Sequence, residues 1–388
     1  MPGKMIVAAA GRPSMAFPET EPTRRVGRAM AWGVAIGVGA VVLRELVRPR
    51  EERARLIDWR RVEEMALSRC GESADPPADP ALDQTYRAIA AELEPLLAEA
   101  LGPGTAPAGT QLYPGLTAVG RRQWVRFNIR IFRQMFEPIE RLQEMIPGSL
   151  ILSFGQKGAS RYLGLILGLL ARRVLGQYDP ALLGREPVET SSLILVEPNV
   201  QAWARKDKLP IDELRRWLAM HEMTHAWEFK AHPWLQDYLE GLLKQVLIGR
   251  LGDGHRPGRL ELLRTLTIGV GQQWKAISKV QAVMSLLEGY SNLVMNEIGR
   301  RQLPHFALLE GAYRRRQEER TPLEKVFLRL TGMEMKLRQY VIGERFCRAL
   351  RDAGGPELLA RVWQGPDWLP TMAEIQRPQL YIERTRTR

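Results

Sequence analysis

The chain has 388 residues, 45% hydrophobic and 26% charged, with a formal net charge of +12. Disorder as a whole is excluded, because it requires low hydrophobicity, and there is apolar material for one large domain or two ordinary ones. Cys70 and Cys347 are the only cysteines, which excludes a disulfide scaffold and any CxxC metal or redox motif and fits a reducing, cytoplasmic setting.

The basic excess is arginine, since only ten of the 56 basic residues are lysine. Half of it falls in residues 1–61, which carry twelve Lys/Arg against six Asp/Glu. A basic balance can serve nucleic acid or an anionic membrane surface. No zinc finger, RNP-type motif or lysine-rich run accompanies it, so no nucleic-acid partner is expected.

Residues 1–55 read as a basic, partly apolar extension, and 56–388 as a single mostly helical domain. Within the extension, Ala29–Leu43 is an uncharged run flanked by Arg24, Arg25 and Arg28 and by Arg44, Arg48 and Arg50. As a helix it would span about 22 Å, short of the roughly 30 Å hydrocarbon core. It is either a membrane-touching anchor or a packed or loosely ordered terminal helix.

Beyond it the spacing predicts helices at Ile57–Ser68 with Asp58 as cap, at Thr85–Leu101, and at Arg121–Ile146, where Trp124, Phe127, Ile131, Met135, Leu142 and Ile146 recur at helical spacing. Arg161–Leu175 is apolar on nearly all sides and reads as a buried helix. Ser191–Val196 is the best strand in the chain, ended by Glu197-Pro198-Asn199. Helical patterns then dominate: 211–230, 234–250, 258–267, 271–299, 304–319, 322–334 and 336–353. The expected class is mainly α with a small sheet.

One of these helices, opened by Pro210-Ile211-Asp212, contains His221-Glu222-Met223-Thr224-His225, an HExxH. A spacing of four puts both imidazoles on one face, one turn apart, from which two nitrogens can reach one metal. Glu222 can instead hold a metal-bound water and take its proton. Zinc suits imidazole and carboxylate ligands. The plain alternative is a helix with two ordinary histidines, but the flanking Trp217, Leu218, Met220, Ala226, Trp227 and Phe229 make it a buried helix, where paired imidazoles need a reason.

A third ligand is required. His232, His255 and His305 are expected at the surface. Glu288 is the better candidate, an acid among Met284, Leu287, Leu293, Val294 and Met295; a metal would satisfy it, and so would a salt bridge to arginine. Asn292, one turn on, can hydrogen-bond behind the ligands.

Together, His221–Tyr238 (HEMTHAWEFKAHPWLQDY) and Met284–Asn296 (MSLLEGYSNLVMN) resemble a zincin-like family of zinc-dependent hydrolases associated with deazaflavin coenzyme biosynthesis. The likeness extends through Ile57-Asp58-Trp59, Arg122–Asn128, Arg173–Pro180, Leu195–Asn199, Lys336–Gly343 and Val362–Pro370, roughly residues 56–383. It implies a zincin-type fold with zinc held by His221, His225 and Glu288, and Glu222 as general base. The chain departs from the family pattern at Tyr290, where the family usually has His, and at Asn296, where it usually has Asp.

The expected function is metal-assisted hydrolysis of a peptide or protein substrate, a metallopeptidase activity, with Ser191–Val196 as an edge strand beside the cleft. Tyr290 or Tyr340 is either an oxyanion donor or a packing residue. The competing reading is a non-catalytic zincin-like metal-binding protein with a structural or interaction role, for which residues 29–43 offer a membrane-docking segment.

Overall fold

The computed structural model describes residues 57–71, 80–101, 113, 115–145, 156–179, 193–247, 259–318 and 333–387. The apolar run 29–43 and His255 lie outside them. Among the described residues no helix is long and apolar enough to cross a membrane.

The architecture is mainly helical with one small sheet. In chain order come α1 (Trp59–Arg69), α2 (Pro80–Leu101), β1 (Leu116–Val119), α3 (Arg121–Met145), α4 (Gln156–Ala171), β2 (Gly176–Tyr178), β3 (Leu193–Val196) and α5 (Glu197–Asp207). They are followed by α6 (Ile211–Lys230), α7 (Trp234–Leu247), α8 (Arg259–Gln302), α9 (Phe306–Glu318), α10 (Met333–Ala360), α11 (Met372–Gln376) and α12 (Pro378–Arg386).

The sheet has the order β1-β3-β2. β1 runs parallel to β3, with Leu116 opposite Leu193 and Val119 opposite Val196. β2 runs antiparallel to β3, with Gly176 opposite Leu195. The strand foreseen as an edge, β3, is therefore the central one. All four of its residues are buried, which is why they form an unbroken apolar run instead of alternating. The edge strand beside the motif helix is β2, too short and too polar to stand out by pattern.

The motif helix α6 is central. Twelve of its 20 residues are buried, on all sides of the axis. Asp212 and Glu213 in its first turn and Lys230 in its last complement the helix dipole. Pro233 stops it from continuing. It packs against β2, β3 and α8.

Glu197 anchors this arrangement. Its carboxylate is fully buried and accepts from Tyr86 Oη at 2.5 Å and Gln201 Nε2 at 2.9 Å, and it pairs with Arg215 of α6. One buried charge thus ties α2 and α5 to the motif helix. Asn199 performs a similar task for the strands. Its Nδ2 donates to Ala171 O at 2.8 Å and Val174 O at 2.7 Å, while its Oδ1 accepts from Arg121 Nε at 2.7 Å.

The two predicted helices 258–267 and 271–299 are one helix, α8. Gly269 and Gly271 weaken the pattern between them, but glycine lowers helix propensity without forbidding helical geometry. α8 crosses α10 with the two backbones in contact. A Cβ on Gly343 would lie 1.9 Å from Ser285 O, and one on Gly289 would lie 2.1 Å from Gly343 C. α10 breaks at Gly354 and Gly355, the latter at φ 69°, a conformation glycine adopts freely.

Candidate metal centre

His221 and His225 project from α6 toward Glu288 of α8, 63 residues further on from His225. His221 Nε2 is 3.2 Å from His225 Nε2. Glu288 Oε2 is 3.4 Å from the first and 3.6 Å from the second. Among the described residues these three form the cluster of His, Cys, Asp and Glu that could hold a metal ion.

The triangle fits one. Two ligand atoms at tetrahedral positions, with bonds of about 2.0–2.1 Å, are about 3.3 Å apart. The three edges of 3.2, 3.4 and 3.6 Å surround that value. The donor set of two imidazoles and one carboxylate suits zinc, and among the described residues its three protein donors match the ligand number of a catalytic site. The three side chains are 14–15% exposed, so solvent reaches the site.

Burial raises the Glu288 carboxyl, but hydrogen bonds from both imidazoles outweigh it and hold the group well below the usual carboxylate range. Burial works against a charged His225, yet Glu228 and Glu288 keep its pKa well above the ordinary histidine value.

Glu222 is buried at the same end of α6, and burial pushes its carboxyl upward against the pull of His221 and His225. Its carboxylate lies against the β2 backbone. A Cβ on Gly176 would stand 2.5 Å from Glu222 Oε1 and 2.7 Å from Leu195 Cδ2. β2 is itself fixed by side chains of α3. Trp124 Nε1 donates to Gln177 Oε1 at 2.8 Å, and Asn128 exchanges hydrogen bonds with Gln177 at 3.1 and 3.2 Å.

Behind the ligands stands Glu228, which the sequence reading passed over. It is fully buried. Its Oε2 is 2.8 Å from His225 Nδ1. Ser291 Oγ lies 3.1 Å from the same Nδ1 and donates to Glu228 Oε1 at 3.4 Å. Burial raises Glu228 to about 7, with His225 pulling the other way. A signal for both residues existed: Glu228 follows His225 by three on α6, and Ser291 follows Glu288 by three on α8, each sharing its ligand's face.

Asn292 sits one turn beyond Glu288 and is buried; its Oδ1 and His221 Nδ1 have no partner among the described residues. Tyr290 points elsewhere. Its ring stacks on Trp227 at 5.8 Å and meets Trp363 edge-on at 5.1 Å, so its surroundings are those of a packing residue. Asn296 Nδ2 donates to Glu344 Oε1 at 3.4 Å, linking α8 to α10. Tyr340 is in the part of α10 whose side chains are outside the described set.

Of the other histidines, His305 is exposed and pairs with Glu213 through Nδ1 at 2.6 Å. His232 is not the surface residue expected. It is 5% exposed, packed between Trp227 and Trp363 at centroid distances of 4.9 Å each. Pro233 ends the helix there, and the turn folds His232 inward instead of out.

A helix carrying HExxH, facing a carboxylate from a distant helix, defines the zincin class of metal proteins. The family model for zincin-like metallopeptidases matches residues 57–382, and the chain belongs to that family. A crystal structure from Chloroflexus aurantiacus, described as "a putative hydrolase with a novel fold", is 35% identical over 86% of this chain and 99% of its own, with a TM-score of 0.66. No curated protein matches.

Proposed function

We propose that this protein is a zinc-dependent hydrolase that cleaves peptide bonds. The observation that carries the reading is the convergence of three ligand atoms from α6 and α8 beside a buried carboxylate, Glu222, which touches an edge strand. His221, His225 and Glu288 would hold the ion. Held there, a divalent ion would supply Lewis-acid chemistry, polarising a carbonyl and lowering the pKa of water toward about 7.

The chain's own groups supply the rest. Glu222 accepts the proton of the attacking water and passes it to the leaving amine. Burial shifts its carboxyl upward against the pull of the two imidazoles, which makes it a better proton acceptor than an exposed carboxylate. β2 supplies a surface for an extended substrate. Val196 N donates to Leu175 O at 2.8 Å, so Leu175 and Val196 form a hydrogen-bonded pair. Pairs alternate along an antiparallel ladder. Gly176, opposite Leu195, therefore turns its own N–H and C=O outward from the sheet, next to Glu222. A peptide added at that edge would bring a backbone carbonyl near the carboxylate.

The test is zinc content followed by a peptide-library assay of the wild type and Glu222→Gln. Zinc at one equivalent, cleavage by the wild type and a loss of about 10²–10⁴-fold in the variant, with zinc retained, are expected. Undiminished turnover removes Glu222 as the base. Zinc bound without any cleavage favours the non-catalytic, metal-binding reading.

A further inference from the structure

We propose that Glu228 and Ser291 are positioning residues that fix the His225 imidazole for the ion and set the protein's affinity for it. The inference rests on the metal reading of His221, His225 and Glu288, and adds to it a role for two residues outside the HExxH motif.

The geometry is asymmetric. A histidine that binds a metal through Nε2 must carry its proton on Nδ1 and keep the Nε2 lone pair free. At His225, Nδ1 faces Glu228 Oε2 at 2.8 Å and Ser291 Oγ at 3.1 Å. The carboxylate accepts the Nδ1 proton, and the serine hydroxyl is free to donate to Glu228 Oε1. The ring is thereby turned so that Nε2 meets His221 and Glu288. At His221, Nδ1 is buried with no partner among the described residues. One imidazole is thus clamped on its remote nitrogen as well as at Nε2, and the other is held from the Nε2 side alone.

Both clamping residues are themselves buried on helices. Glu228 is fully buried on the central helix, and Ser291 is fully buried on α8, one turn from Glu288. Ser291 thus joins the two helices that carry the ligands. Rigid placement on helices holds a coordination geometry more closely than loops do. A buried carboxylate on the remote nitrogen also raises the basicity of the ligating one.

The measurement is zinc affinity of the full chain, by competition with a chromophoric chelator, supported by the visible spectrum of the cobalt-loaded protein. Glu228→Ala is expected to weaken binding about 100-fold and Glu228→Gln, which keeps an acceptor without the charge, about 10-fold. Ser291→Ala should weaken it less than either. A second readout needs no metal: in the metal-free wild type, the His225 Nδ1–H proton should exchange slowly with water in nitrogen–proton spectra, and should lose that protection in Glu228→Ala.

Unchanged affinity and an unchanged cobalt spectrum in folded Glu228→Gln and Ser291→Ala overturn the proposal while leaving the metal site standing. A wild type that binds neither zinc nor cobalt overturns the metal reading and this proposal together. If Glu228→Ala does not fold, the graded comparison of the other two variants with the wild type still decides.

Discussion

Gly176 and Glu222 are in contact through a gap that only glycine leaves open: an alanine methyl at 176 would stand 2.5 Å from Glu222 Oε1. The edge strand and the HExxH carboxylate therefore share one small space. Gly176→Ala should push Glu222 off its position without touching a metal ligand. Turnover is expected to fall about 100-fold, the cost of an ångström-scale misplacement, with zinc content unchanged. Steady-state kinetics with metal analysis checks this; full activity in a folded variant would separate the strand from the base.

Removing the ion should weaken the fold. Ligand binding to the native state alone stabilises it by about 2.7 kcal/mol when free ligand is 100 times its Kd. Scanning calorimetry before and after chelation should show the melting temperature fall by several degrees and recover on adding zinc. In Glu288→Ala the same additions should leave the melting curve where it is, because two imidazoles on adjacent turns do not complete the site.

The crossing of α8 and α10 tolerates no side chain. Gly343→Ala places a methyl 1.9 Å from the carbonyl of Ser285, one turn before Gly289. Backbone cannot retreat as a flexible side chain can, so the helices must part. A loss of about 3 kcal/mol or more is expected by denaturant unfolding. Gly311→Ala on α9 is the contrast: its nearest neighbour would be Arg315 Nη1 at 3.6 Å, and helix propensity should make it neutral or slightly stabilising.

Acid should act through His232. Burial lowers this imidazole to about 4, and both ring nitrogens lack a partner among the described residues. The unfolded chain takes up this proton near pH 6.5 and the native state only near 4, so the stabilisation is complete above about pH 6.5 and is lost as pH falls toward 4. At about 1.4 kcal/mol per pKa unit, the loss is about 3 kcal/mol. Unfolding of metal-free protein between pH 7 and 4 should show a shallower slope in His232→Phe than in the wild type. Identical slopes would mean that the native state protonates His232 without penalty.

Much of the site was legible in the chain because its parts are local. The four-residue spacing of His221 and His225, and Glu222 between them, is helix geometry written in one segment. Glu288 was legible because an acid in an apolar helix demands a partner. The strand Leu193–Val196 announced itself by apolar content, yet its place did not: central and edge strands differ by what lies beside them. β2 carries three residues and no pattern, so its role at Glu222 was invisible. The inward turn of His232 was invisible for the same reason, since a histidine before proline reads as a loop residue until Trp227 and Trp363 close around it.

The sequence by itself determined the mainly helical class, the HExxH donor pattern and which helix carries it, because periodicity and residue type act over a few turns of one segment. Only the tertiary structure decided which distant groups meet: Glu288 with the two imidazoles, Gly176 with Glu222, Glu228 and Ser291 behind His225. Those meetings depend on how α6, α8 and β2 pack, and packing is fixed by the whole core at once, not by any stretch of it.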